Sequence, residues 1–209
     1  MTDKFYEKDG ERYVQYRLSD PDSAEAMESS PLSACLGCLK YDPNHTFVTS
    51  DYHFRDWKVG LLSESSEEEE QRHIALWNSV VGKDDLVLYI GDFCDGGVGD
   101  LEEFSKKLNG RKILIKGNHD RLDDEWYRCA FEDVVSEMRI PELNLRLIHA
   151  KEEAKDMRPG ERIIYGHEHR LMSEPPPTTR DSICVCAKWH GWKPITLAAA
   201  IRQMDLVKG

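Results

Sequence analysis

Five short segments of the chain carry side chains able to do metal chemistry: Asp51-Tyr52-His53, Gly91-Asp92, Gly117-Asn118-His119-Asp120, His149 and Gly166-His167-Glu168-His169. Carboxylate, imidazole and amide oxygen together suit manganese, iron or zinc, and a ligand set without cysteine argues against a purely structural zinc cage. Asp51 and His53, like His167 and His169, are alternate residues, so an extended segment presents both members of each pair on the same side. Asp92 can bridge two cations through its two carboxylate oxygens. Two cations roughly 3.5–4 Å apart clamp a phosphoryl group and lower the pKa of a shared water.

The elements that must position these residues are short apolar strands. Thr46 to Ser50 leads to Asp51, Leu86 to Ile90 to Asp92, Ile113 to Ile115 to Asn118, Leu145 to Ile148 to His149, and Ile163 to Tyr165 to His167. Ligand crevices form at strand ends because the rigid sheet fixes the loops beyond it. In three of the five turns a glycine precedes the polar residue, which permits a tight turn and close backbone approach. Helical spacing predicts helices over Ser65 to Val81, Asp100 to Leu108, Asp123 to Cys129 and Thr196 to Val207. The glutamates at 67–70 read as a solvated helix start favoured by the macrodipole. Val134 to Ile140 and Leu143 to Ile148 read as a hairpin around Pro141-Glu142, and Ile183 to Cys186 as a late strand. Strands alternating with helices early, then mostly strands, predict an α/β fold: a four-layer α-β-β-α sandwich of two packed mixed sheets flanked by helices. Residues 1–45, polar and weakly periodic, are expected to be an irregular or partly ordered extension to a domain over 46–209.

These segments resemble the calcineurin-like metallophosphoesterases. Asp51-x-His53 is similar to that family's D-x-H, Gly91-Asp92-Phe93-Cys94-Asp95 to its G-D-x-x-D, Gly117-Asn118-His119-Asp120 to its G-N-H-D/E, His149 to its isolated histidine and Gly166-His167-Glu168-His169 to its G-H-x-H. All five occur in the family's order across roughly residues 46–170. Leu108-Asn109-Gly110-Arg111-Lys112 resembles the small single-domain bacterial and phage-type members. The resemblance implies one metal held by Asp51, His53, His169 and Asp92, and a second held by Asp92, Asn118, His149 and His167. It further implies in-line attack by a metal-bridging hydroxide on a phosphomonoester or phosphodiester. His119 would protonate the leaving oxygen, Asp95 would orient His119, Asn118 would hold phosphoryl oxygens, and Arg121 is a weaker candidate for the substrate phosphate. Manganese is the first expectation, with iron, zinc, nickel or magnesium as alternatives. The chain departs from the family at Gly96, where the protein Ser/Thr phosphatase branch carries arginine, at Asp56, where many small members carry histidine, and at Ala150, where glycine is common.

The net charge is −11 in 209 residues. Such an acidic chain is a poor partner for long nucleic acid, whose binding leans on Lys and Arg; that weighs against a nuclease. A small phosphorylated substrate, nucleotide-like ones included, fits if metal ions supply the positive charge. No apolar run approaches the roughly 20 residues of a membrane span, and the polar start, Met1 to Gly10, predicts a cytoplasmic protein without a secretory signal. A scaffold that keeps the fold for protein contacts is the alternative from another class, with residues 1–45 as its candidate partner segment. Cys35/Cys38 and Cys184/Cys186 are read as reduced thiols, weighed against a structural zinc. His45, His73 and His190 belong to no motif and receive a structural reading, as does Asp120, an acceptor fixing its turn. Trp189 and Trp192 are read as packing residues or pocket walls.

Overall fold

The structure, a computed structural model, describes residues 41–56, 66–169 and 173–207, and of the earlier chain the backbone of 6–8 and 11–13. Those two early segments, β1 (Tyr6–Lys8) and β2 (Glu11–Tyr13), pair antiparallel. The rest of the expected extension up to residue 40, including Cys35 and Cys38, lies outside the described residues. Residues 41–45 already touch the body of the protein: Tyr41 Oη donates to Glu142 Oε1 at 2.7 Å, and Ala198 N donates to Pro43 O at 2.9 Å.

Two mixed sheets face each other, as the alternation of strand and helix signals predicts. The five-stranded sheet has the order β11 (Ile195–Thr196), β3 (Thr46–Thr49), β4 (Leu86–Ile90), β5 (Arg111–Ile115), β6 (Asp133–Val135). Its last four strands run parallel, with β11 antiparallel at the edge. The four-stranded sheet has the order β10 (Ser182–Cys184), β9 (Arg162–Tyr165), β8 (Leu145–Ile148), β7 (Glu137–Ile140). Only its β7–β8 hairpin is antiparallel.

Side-chain alternation assigns each strand residue to a layer. Leu86, Leu88 and Ile90 of β4 and Ile113 and Ile115 of β5 meet Leu145, Leu147, Ile164 and Ile183 between the sheets. Val87, Tyr89 and Leu114 point the other way, into a second cluster with Ile74 and Trp77 of α1 (Glu67–Asn78) and Leu101 and Phe104 of α2 (Val98–Lys107). A short helix, α3 (Asp124–Tyr127), adds Tyr127 to that layer. α4 (Leu197–Asp205) inserts Leu197, Ala200 and Met204 into the core between the sheets. The outer face of the four-stranded sheet is covered more thinly, by Ala154 and Trp189 from 3-10 turns over Ile163, Tyr165 and the buried thiols of Cys184 and Cys186.

Three local readings need correction. The run from Val134 to Ile140 is not one strand: it breaks at Ser136, so that Val134 and Val135 complete the first sheet while Glu137 to Ile140 open the second. A single short segment of mixed apolar and polar residues, Val134-Val135-Ser136-Glu137-Met138-Arg139-Ile140, gives no local sign of such a switch between sheets. The glutamate run is not uniformly solvated. Ser66 and Glu69 form a capping box and Glu67 to Glu69 are exposed, but Glu70 is buried and accepts from Arg55 N and Nη1. The late strand ends at Cys184, and Cys186 forms only an isolated bridge with Ser50.

Candidate metal centre

All five strand-end turns converge. Asp51, His53 and His169 place ligand atoms within 4.8 Å of one another, and so do Asp92, His149 and His167. Asp92 lies between the two groups: its Oδ2 is 3.5 Å from His53 Nε2 and 3.2 Å from His149 Nε2. Its Oδ1 accepts from the backbone N–H of His119 at 2.8 Å. Oδ2 thus faces both groups, and Asp92 is the residue that two cations would share. Asn118 Oδ1 is 3.1 Å from His149 Nε2, on the exposed rim. Arg121 is also exposed and reaches back to Asn118 O through Nε at 3.4 Å.

The second partners of the imidazoles fix which nitrogen faces inward, as they do in metal sites generally. His149 Nδ1 donates to Ile90 O at 2.9 Å, leaving Nε2 toward Asp92. His53 Nδ1 donates to Asp95 Oδ2 and His119 Nδ1 to Asp95 Oδ1, both at 2.7 Å. One carboxylate thus orients a candidate ligand and the candidate proton donor together. His167 presents Nδ1, 3.3 Å from His149 Nε2.

The turns holding these groups are strained and close-packed. Asp51, His53, Asp92 and His167 all have positive φ, between 47° and 70°, a region costing L-residues roughly 1–2 kcal/mol each. Backbone bonds that zip the first turn to the second offset that cost: Asp51 N to Gly91 O at 3.0 Å, His53 N to Asp92 O at 3.2 Å and Phe54 N to Phe93 O at 3.0 Å. The glycines are required by proximity. A Cβ on Gly117 would sit 2.7 Å from Asp92 N, and one on Gly166 would sit 2.6 Å from Asp51 Oδ2. Asp120 is a structural acceptor, taking N–H bonds from Asp92, Phe93 and Gly117 at 2.8, 3.1 and 2.9 Å. Burial pushes its carboxyl up, and although those N–H bonds oppose the rise it reaches about 6.

The electrostatics favour positive charge in the cluster. Burial raises Asp92, yet the hydrogen bond and charge of His149 and the charge of His53 hold it down to about 2. Burial lowers His149, but the Asp92 hydrogen bond and the charges of Asp51 and Asp92 lift it to about 9. His53 is raised in the same way, burial being outweighed by the Asp95 bond and the surrounding carboxylates. Buried carboxylates are costly unless paired with positive charge, and without a cation the histidines supply it. Convergent donors, second partners and buried charge all fit a pair of divalent cations.

Sequence reasoning missed two contributors. Arg55, buried, ties the first turn to both outer helices through Glu70 (2.7 Å), Asp100 (2.9 Å) and Glu103 (2.9 Å), over the ring of Phe104. The glutamate run followed by charged helix starts was its only signal. Cys186, whose Sγ lies 3.1 Å from Asp51 Oδ2, carried no signal beyond the CxC spacing. Burial, the Cys184 contact and the charge of Asp51 all push its thiol up, keeping it protonated. Of the residues outside the motifs, His73, His190, Trp189 and Trp192 are packed or bonded. His73 stacks on Trp192 at 3.7 Å, Trp189 Nε1 donates to Glu168 O at 2.8 Å, and His190 Nε2 bonds Cys184 O at 2.9 Å.

Residues 45–156 match the family described as calcineurin-like phosphoesterase. The chain belongs to that family. It is 39% identical over 82 residues to the gene 66 protein of Mycobacterium phage D29 and 37% identical over 83 residues to that of phage L5, each alignment covering 37% of this chain. These alignments span only 41% and 40% of the phage proteins' own length. An uncharacterized protein of Methanocaldococcus jannaschii is 25% identical over 171 residues, covering 76% of this chain and 90% of its own. The crystal structure of a protein of unknown function from Aquifex aeolicus shares the fold, with a TM-score of 0.51 at 21% identity over 74% of this chain and 96% of that one.

Proposed function

We propose that this protein is a metal-dependent phosphoric ester hydrolase acting on a small phosphomonoester or phosphodiester, nucleotide-like ones included. The observation that carries this reading is the His119–Asp95–His53 arrangement, in which one buried carboxylate holds a proton donor beside the ligand cluster, with the His119 and His53 rings 4.8 Å apart. Two divalent cations, manganese first, would be held by Asp51, His53, His169 and Asp92 and by Asp92, Asn118, His149 and His167, supplying Lewis acidity and an activated water. The chain's own groups do the rest. Asp95 accepts from His119 Nδ1, which would leave Nε2 to give its proton to the leaving oxygen. The Asn118 amide and Arg121, both exposed, would hold phosphoryl oxygens. A scaffold would have no use for the paired His119 and Asp95, and the net charge of −11 disfavours a nuclease acting on long polyanions.

The test is elemental analysis of metal-replete protein beside manganese-dependent hydrolysis of an aryl phosphate monoester and an aryl phosphate diester. Two cations per chain with turnover of either ester is the expected result. Bound metal with no turnover of either would overturn the hydrolase reading, and no bound metal would overturn the metal centre itself.

A further inference from the structure

Behind the first carboxylate of the site stands a buried thiol. Where the chain leaves β10, Cys186 bridges to Ser50 in parallel pairing and Ala187 N donates to Ser50 O at 3.0 Å, which brings Cys186 alongside Asp51. Cys186 is fully buried, its Sγ 3.1 Å from Asp51 Oδ2, with Cys184 Sγ 3.2 Å away. The backbone N–H of His167 is shared between the two oxygens, 3.0 Å from Oδ2 and 3.2 Å from Oδ1. The other oxygen, Oδ1, faces the imidazoles, 3.4 Å from His169 Nε2 and 3.9 Å from His53 Nε2.

We infer that Cys186 is a positioning residue for Asp51: its S–H donates to Oδ2 and turns the carboxylate so that Oδ1 is presented to the cation shared with His53 and His169. This rests on the metal reading above. A thiol is a weak donor, but here it is held against an anion in a site closed to water, where a hydrogen bond is stronger than in solution. The S–H is the contact specific to Oδ2, since the N–H is shared, so Oδ1 is the oxygen Asp51 would offer to a cation. Hydrogen-bonded partners of ligating groups commonly tune metal affinity by about 10–100-fold. A thiol that merely filled space would be replaceable by any apolar group of its size, and this is where the two roles separate.

The experiment uses full-length, metal-replete protein with Cys186→Ala, Cys186→Val, Cys186→Ser and Cys184→Ala. Each is dialysed against graded chelator and its metal content measured, and the visible spectrum of the cobalt-substituted form is recorded. Cys186→Ala and Cys186→Val, which lack a donor, should lose one of two cations at about tenfold lower chelator concentration and hold the other as the native protein does. Their cobalt spectra should change accordingly. Cys186→Ser, which keeps an O–H, should retain near-native chelator resistance, and Cys184→Ala should keep both cations. Ala is smaller than Cys and Val somewhat larger, so a loss common to both follows from the missing donor and not from a change of volume; Val decides the matter if the alanine variant folds poorly. Native chelator resistance in Cys186→Val would overturn the inference. So would equal weakening of both cations, or the same loss in Cys184→Ala, since either would mark a packing effect. A native protein that took up no cation would instead overturn the metal reading, and this inference with it.

Discussion

Asp95 is the residue through which binding and proton transfer are joined. Both of its oxygens are occupied, Oδ2 by His53 and Oδ1 by His119, each at 2.7 Å. Burial raises it, but the hydrogen bonds and charges of the two imidazoles prevail and its carboxyl sits below the ordinary carboxylate range. Ionised, it can only accept, so both imidazoles must carry hydrogen on Nδ1. The two neighbours should therefore fail differently. His119→Ala removes the proton donor alone: metal content should stay native while turnover of an aryl phosphate falls about 10²–10⁴-fold. Asp95→Asn disturbs both imidazoles, so turnover should fall and the cation at His53 should be lost more readily to chelator. Parallel metal analysis and rate measurements on the two variants check this, and a His119→Ala protein stripped of metal would contradict it.

At the scale of the element, the strand-end turns carry the site, and their glycines decide how closely the turns approach. A Cβ on Gly117 would meet backbone, Asp92 N at 2.7 Å, which cannot swing aside as a flexible side chain can. Gly117→Ala should thus push the third turn away from Asp92 and disorganise both ligand groups. The expected outcome is a loss of at least one cation and of most turnover, whereas Gly160→Ala, where no atom lies within 4 Å of the new Cβ, should leave metal content unchanged despite its strained φ of 73°. Metal analysis of the two variants measures the contrast. These turns were legible in the sequence because strand ends are marked locally, by an apolar run followed by a metal-capable residue, in three of the five after a glycine. The inter-sheet core was legible for a related reason, since alternation assigns Leu88 and Tyr89 to opposite faces. What stayed hidden depends on contacts distant in sequence. Nothing local to Val134–Val135 says that Ser136 carries the chain from one sheet to the other. Glu70 looks like any helix-start glutamate until the fold sets Arg55 against it, 15 residues away. Cys186 meets Asp51 across 135 residues, a separation that no motif spans.

At the scale of the whole molecule, the site joins the two sheets. Asp51 and Asp92 follow β3 and β4 of one, while His149, His167 and His169 follow β8 and β9 of the other, and Asp92 Oδ2 to His149 Nε2 at 3.2 Å spans the boundary. Cations bound there would tie the sheets together and neutralise buried carboxylates in a chain of net charge −11. Among the described residues no helix is long and apolar enough to cross a membrane. The unfolded chain scatters the ligands and binds cations weakly, so metal should favour the folded state by mass action. At a free concentration about 100 times the dissociation constant, each cation contributes about 2.7 kcal/mol. For a chain of this size 1 kcal/mol moves Tm by about 2–4 °C, so one cation should raise it by about 5–10 °C and two by about twice that. Thermal melts of chelator-treated and manganese-replete protein give the shift directly. Asp92→Ala, which removes the shared ligand, should abolish most of it, whereas His45→Ala, at a surface histidine paired with Asp85, should show the shift in full. An equal shift in both variants would mean that manganese stabilises the protein somewhere other than the junction of the two sheets.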